Sequence, residues 1–127
     1  MSVQTTPAEA PTPTPTVVLA AQSAPPARLA TVEEIKAEIV RVFGSRSSAA
    51  LCIAENESHF RSEAVGYNND IHASHDRGVF QLNSYWHREV SDDEAYDARE
   101  NIQHAYRISK AGTDWHQWST RNICGVA

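Results

Sequence analysis

The chain is poor in cysteine, glycine, basic residues and unbroken apolar sequence. Among its 127 residues there are two Cys, five Gly and one Met. Two cysteines are too few for a disulfide scaffold, and composition alone favours reading them as two buried free thiols. No apolar run approaches the roughly 20 residues that span a bilayer as a helix. The apolar stretch Val17 to Ala21 is far shorter, and no Lys or Arg precedes it, so no standard secretory signal is expected. Lys and Arg number 11 against 16 Asp and Glu, a net charge of -5. No basic cluster is present to neutralise phosphates, which argues against a nucleic-acid binder. Neither G-x-S-x-G nor H-E-x-x-H occurs, which weakens the serine-hydrolase and zinc-protease readings.

The rest is an ordinary globular composition, 41% hydrophobic and 21% charged. All six prolines lie in the first 26 residues. Thr5 to Pro15 alternates Pro with Thr and Ala, and such a segment buries too little apolar surface to offset its ordering entropy. Residues 1–30 are therefore expected to be a disordered linker or tail, and residues 31–127 a single folded domain. Thr31 and Glu34 have capping-box spacing ahead of Ile35, Ile39, Val42 and Phe43, which predicts a helix ending near Gly44. A second helix, capped by a serine, is expected from Ser47 to about His59. Gly66, Asn68, Asn69 and Asp70 predict an irregular hairpin over residues 64–76. Gly78 to Tyr85 is ambiguous between helix and strand. Residues 92–111 read as one long helix with an acidic start, followed by a short helix capped by Thr113 that carries Trp115 and Trp118. The expected class is α+β with a large helical excess.

Two carboxylates stand out. Glu57 closes an otherwise apolar helix, where desolvation would raise its pKa, as a general acid requires. On composition alone, a surface glutamate beside Glu55 and Glu63 is the more common outcome. Asp76 follows the turn-rich stretch, where it could equally be a turn residue paired with Arg77. Two carboxylates on facing elements are the minimum for glycoside hydrolysis. Gln81 and Asn83 offer amide donors and acceptors that suit hydroxyl and acetamido groups. Trp86 and Trp115 are read as cleft walls and Trp118 as core. His72, His75, Asp76 and His87 do not have convincing zinc spacing, because positions three apart on a hairpin face opposite sides. No metal and no cofactor is expected. Cys52 lies mid-helix on an apolar face, a poor setting for a nucleophilic thiolate.

With these residues in place, the segment from Cys52 to Trp86 resembles the c-type lysozymes and the soluble lytic transglycosylases. Glu57-Ser58-His59-Phe60 is similar to the block that carries the catalytic acid. Asp76-Arg77-Gly78-Val79-Phe80-Gln81-Leu82-Asn83-Ser84 is similar to the block led by the second carboxylate. Gly112 to Trp118 resembles the family's closing segment, whose first tryptophan packs against the acid, which implies Trp115 as the wall for Glu57. The resemblance also implies a Cys52–Cys124 disulfide, in a pared-down bacterial or phage version of the fold. It implies a mostly helical α+β lysozyme-like fold with a small β-hairpin flanking the active-site cleft. Glu57 and Asp76 would be catalytic, with Ser58, Gln81, Asn83, Trp86 and Trp115 as substrate-binding residues.

The implied activity is that of a muramidase, cutting the β-1,4 bond between N-acetylmuramic acid and N-acetylglucosamine in peptidoglycan. A lytic transglycosylase, a non-catalytic glycan-binding virion module and an interaction protein acting through its Pro-rich tail are the alternatives. The expected partner is the glycan strand, met by a monomer at the cell wall, whether outside the cell, in the periplasm or on a virion. The negative net charge offers no long-range attraction to an acidic wall, so binding would rest on cleft contacts. Arg77 stands where an aromatic is usual in the c-type family, a place from which it could pair with Asp76. Retention and inversion both stay open, because carboxylates ~5–5.5 Å apart retain and those ~6.5–9.5 Å apart invert.

Overall fold

The computed structural model describes residues 28–127. The expected linker over residues 1–30 lies outside them except for its last three residues. Those three are docked: Ala30 N donates to Glu34 Oε1 at 2.9 Å, and Arg28 lies 3.8 Å from Asp97. No helix among the described residues is long and apolar enough to cross a membrane.

Helix α1 spans Val32–Phe43 and starts on the expected capping box. Glu34 N donates to Thr31 Oγ1 at 3.1 Å, and Thr31 N donates back to Glu34 Oε1 at 3.0 Å. Its inner stripe is Ile35, Ile39 and Phe43, all buried. Gly44 turns the chain at φ 56° into a 3-10 turn, Gly44–Arg46, which runs straight into α2, Ser47–Ser58. The serine cap expected for α2 does not form. Ser47 N already donates to Gly44 O inside the 3-10 turn, so that backbone donor is satisfied without a side chain. Beyond α2, His59 and Phe60 both adopt positive φ, 56° and 61°, and swing the chain away from the helix axis.

The hairpin is one edge of a three-stranded antiparallel sheet: β1 Val65–Tyr67, β2 His75–Arg77 and β3 Leu82–Asn83. Asp76 sits in the central strand, opposite Gly66 on one side and Asn83 on the other. The ambiguous stretch after Arg77 becomes a tight turn at Gly78 (φ 76°) and Gln81 (φ 52°), followed by β3.

The expected helix over 92–111 is two helices, α3 Asp92–Ala95 and α4 Ala98–Ile108. Asp97 makes the break: it is extended, and its carboxylate accepts from Arg99 N and Glu100 N as the cap of α4. Lys110 and Ala111 then take positive φ. Trp115 and Trp118 sit in turns, not on a capped helix, and the last helix is α5, Arg121–Cys124. Thr113 caps nothing; its hydroxyl donates to Lys110 O at 2.7 Å.

One core runs through Ile35, Ile39, Ile53, Phe80, Ile102 and Trp115. A buried polar joint also ties the helical part to the sheet. Asn101 is fully buried on α4 and makes three hydrogen bonds there. It donates to Arg77 O at 3.0 Å and Ala95 O at 2.8 Å, and accepts from Phe80 N at 2.9 Å. Cys52 and Cys124 are disulfide-bonded with Cα atoms 5.9 Å apart, fastening α5 to α2.

Candidate active site

A cleft of about 370 Å³ opens between the end of α2, the sheet and the turns that precede α5. That volume lies within the ~300–1,000 Å³ typical of ligand pockets. Glu57 and Asp76 line it together with Gln81, Asn83, Trp86, His87, Gln117 and Trp118.

Glu57 is the penultimate residue of α2 and half-buried. Burial pushes its carboxyl above the ordinary glutamate range, and the negative charge of Asp76 adds to the rise. The hydroxyl of Thr120 opposes that rise by donating to Glu57 Oε2 at 2.8 Å. Asp76 has a different setting. Asn68 Nδ2 donates to its Oδ2 at 3.1 Å and Asn83 Nδ2 to its Oδ1 at 2.9 Å. Each carboxylate oxygen thus has its own amide donor, which fixes the plane of the group. The site therefore holds one desolvated acid and one amide-braced carboxylate on opposite elements.

Arg77 is not the partner of Asp76. Successive strand residues point to opposite faces, so Arg77 turns away from the cleft and is only 2% exposed. Its guanidinium donates to Leu82 O, Val90 O and Asp92 Oδ1, each at 3.0 Å. The period-two alternation of a strand was the signal available in the sequence for this.

The structure brings Glu57, Asp76, Gln81, Asn83 and Trp86 to one cleft and leaves Ser58 and Trp115 out of it. Ser58 is 2% exposed and donates to Val79 O at 2.7 Å, tying α2 to the turn after β2. Trp115 is 1% exposed in the aromatic core, its ring centroid 5.7 Å from that of Phe43. Trp115 is therefore core and not a cleft wall, whereas Trp118 is core as expected, 5% exposed, with one side on the cleft and Nε1 donating to Phe80 O at 2.8 Å. Without a regular element to carry Trp115, its place along the chain does not say that its ring faces inward.

The amides expected to meet sugar are largely engaged. Gln81 Nε2 donates to Ala64 O at 3.1 Å and Gly78 O at 3.0 Å. Asn83 donates to Ser74 Oγ and Asp76, and accepts from Tyr85 N and Trp86 N. Asn83 therefore links the braced carboxylate to the Trp86 backbone. Trp86 is 73% exposed, a flat apolar face at the cleft, with Tyr85 against its edge at 4.9 Å between centroids.

Sequence reasoning overlooked Thr120 and Gln117 and weighed His87 only as a metal ligand; none of the three belongs to a short motif. His87 lines the cleft, and burial holds its imidazole below the ordinary histidine range despite the opposing charge of Glu89 and a hydrogen bond to Gln117. Among the described residues, Glu94, Glu100 and His104 are close enough to share a cation, but none of them lines the cleft. His72 is stacked on Tyr85, with centroids 3.5 Å apart, and His75 lies 3.6 Å from Asp92.

The family described as a lysozyme-like domain matches residues 38–120. Lysozyme E of Drosophila melanogaster is 33% identical over 86 residues, covering 58% of this chain and 61% of that protein. Lysozyme 1 of Musca domestica is 34% identical over 86 residues, covering 58% and 60%. The chain thus spans about three-fifths of the length of these relatives. A calcium-binding lysozyme from equine milk superimposes with a TM-score of 0.57 at 23% identity, over 72% of this chain and 84% of that one, and shows the shared fold. The chain therefore belongs to the lysozyme-like domain family, homologous to the c-type lysozymes.

Proposed function

We propose that this domain is a muramidase that hydrolyses the β-1,4 bond between N-acetylmuramic acid and N-acetylglucosamine in peptidoglycan. The observation that carries the reading is the pair of carboxylates in contrasting surroundings on one cleft. Glu57 is raised by burial, so it holds its proton further up the pH scale than a surface glutamate. Asp76 is clamped by two amides on the adjoining sheet. This division of labour is the one attributed to lysozymes: one acid protonates the leaving oxygen, and the other carboxylate meets positive charge at the anomeric carbon.

In the proposed reaction Glu57 gives its proton to the glycosidic oxygen. The C–O bond breaks, and its electron pair leaves with the departing sugar. Asp76 faces the positive anomeric carbon, water adds there, and the proton that water loses returns to Glu57. Trp86 supplies an apolar face for a pyranose ring. The Cys52–Cys124 bridge suits an oxidising compartment, which agrees with action on the wall outside the cytoplasm. The presence of Asp76 favours hydrolysis over the lytic transglycosylase reaction, in which a single glutamate can serve as acid and then base.

The test is clearance of purified peptidoglycan by the wild-type chain and by Glu57→Gln, with mass spectrometry of the soluble fragments. Loss of turnover in Glu57→Gln and products with reducing ends are expected. Equal activity of the two proteins would overturn the reading, and anhydromuramic products would replace hydrolysis by transglycosylation.

A further inference from the structure

Thr120 belongs to no motif and does not line the cleft, yet it reaches the acid. Its hydroxyl donates to Glu57 Oε2 at 2.8 Å across a separation of 63 residues. The approach is braced from both sides. Cys124 N donates to Thr120 O at 3.1 Å, so the α5 turn moves Thr120 and Cys124 as one piece. Cys124 is bonded to Cys52 on α2, the helix that carries Glu57. The two segments are thus pinned at two levels, by sulfur at one and by the Thr120–Glu57 hydrogen bond at the other.

A donor on one carboxyl oxygen has a directional consequence. While Oε2 receives the Thr120 proton, the acid proton of Glu57 resides on Oε1. We propose that Thr120 is a positioning residue for the acid, holding Glu57 Oε2 so that the transferable proton sits on Oε1. The inference rests on the reading of Glu57 as proton donor. In the transfer, the Oε1–H bond breaks as the glycosidic oxygen takes the proton, and the resulting carboxylate keeps its hydrogen bond from Thr120. The same hydrogen bond favours the anion and so limits how far burial and Asp76 raise the group. The titratable groups that share the cleft with Glu57 are Asp76 from β2 and His87 from the turn after β3. The α5 segment meets Glu57 with the neutral Thr120 hydroxyl, its Arg121 guanidinium being engaged on His116 O at 2.8 Å.

The experiment compares the wild-type chain with Thr120→Val, Thr120→Ala and Thr120→Ser. It reads the Glu57 carboxyl directly by 13C NMR titration, together with the pH profile of kcat on peptidoglycan. In Thr120→Val and Thr120→Ala, Glu57 is expected to titrate at higher pH, and the alkaline limb of kcat should move the same way. The maximal kcat should fall about tenfold, part of the ~10²–10⁴-fold that a positioned acid contributes. KM should hold, because Thr120 does not line the cleft, and Thr120→Ser should restore both the titration and kcat. A Glu57 titration unmoved in both Thr120→Val and Thr120→Ala would overturn the proposal, as would failure of rescue by serine. Undiminished activity in Glu57→Gln would instead refute the glycosidase reading, so the two failures are distinguishable.

Discussion

Replacing Asn83 tests how the sheet serves the cleft. Its amide makes four hydrogen bonds: to Asp76 Oδ1 at 2.9 Å, to Ser74 Oγ at 3.2 Å, and from Tyr85 N at 2.9 Å and Trp86 N at 3.0 Å. Asn83→Leu has similar bulk but removes all four. Hydrogen bonds to charged groups contribute about 1.5–3 kcal/mol. If that much of the hold on Asp76 is lost in the transition state, turnover falls about 10- to 150-fold. Asn83→Asp keeps the acceptor for the Tyr85 and Trp86 amides but sets a second negative charge against Asp76. Repulsion then replaces attraction, and the loss should equal or exceed that of the leucine variant at neutral pH. The assay is initial-rate clearance of peptidoglycan, with circular dichroism and urea unfolding confirming that each variant is folded. A folded Asn83→Asp within twofold of wild type would refute the claim that Asn83 orients Asp76. Asn68→Ala, which leaves Asp76 with one amide donor in place of two, should fall between the two extremes.

Four further outcomes are expected. Glu57 is raised in the folded chain, so its penalty is absent below the ordinary glutamate pKa and complete above the folded value. Stability therefore falls as pH rises through that window, and Glu57→Gln should melt higher than wild type at neutral pH but equally at pH values below ~4, as read by calorimetry. Asn101→Ala strips three buried hydrogen bonds and should cost about 3–5 kcal/mol in urea unfolding. Replacing Cys52 and Cys124 together by alanine removes a cross-link spanning 72 residues and should cost about 4 kcal/mol by the chain-entropy relation. Trp86→Ala should raise KM with little change in kcat. A stacking face of ~60 Å² at ~25 cal/mol per Å² gives about 1.5 kcal/mol, or about tenfold in KM.

Local signals predicted local structure well. The Thr31–Glu34 capping box and the Ile35–Ile39–Phe43 stripe act within a turn or two of backbone, and the structure follows them. The same kind of reasoning failed at Asp97. An acidic residue five positions beyond the expected helix start reads as an ordinary helical position until Asn101 takes Ala95 O from the other side. Both carboxylates of the cleft and Trp86 were visible in the sequence, because the two motif blocks carry them contiguously. Thr120 was not, because its partner lies 63 residues away and only the fold brings the two together. Arg77 was misread because adjacency in sequence on a strand means opposite faces in space. Trp115 was misplaced on the cleft wall because it sits on no regular element whose period assigns a face, while Trp118 is core as expected.

The joint between sheet and helices also limits how this sequence can drift. A Cβ on Gly78 would lie 2.1 Å from Ala95 O and 2.5 Å from Asn101 Nδ2. The second obstacle is a side chain that mutation can shorten, but the first is backbone, which no exchange at position 95 removes. Position 78 is therefore held at glycine whatever stands at 101, while 101 is held by its partners alone. Descendants of this chain can vary the joint by changing the number of residues between α3 and α4, which moves Ala95 O itself. Divergence at this point is thus channelled into insertions and deletions at Asp97 rather than into exchanges at Gly78.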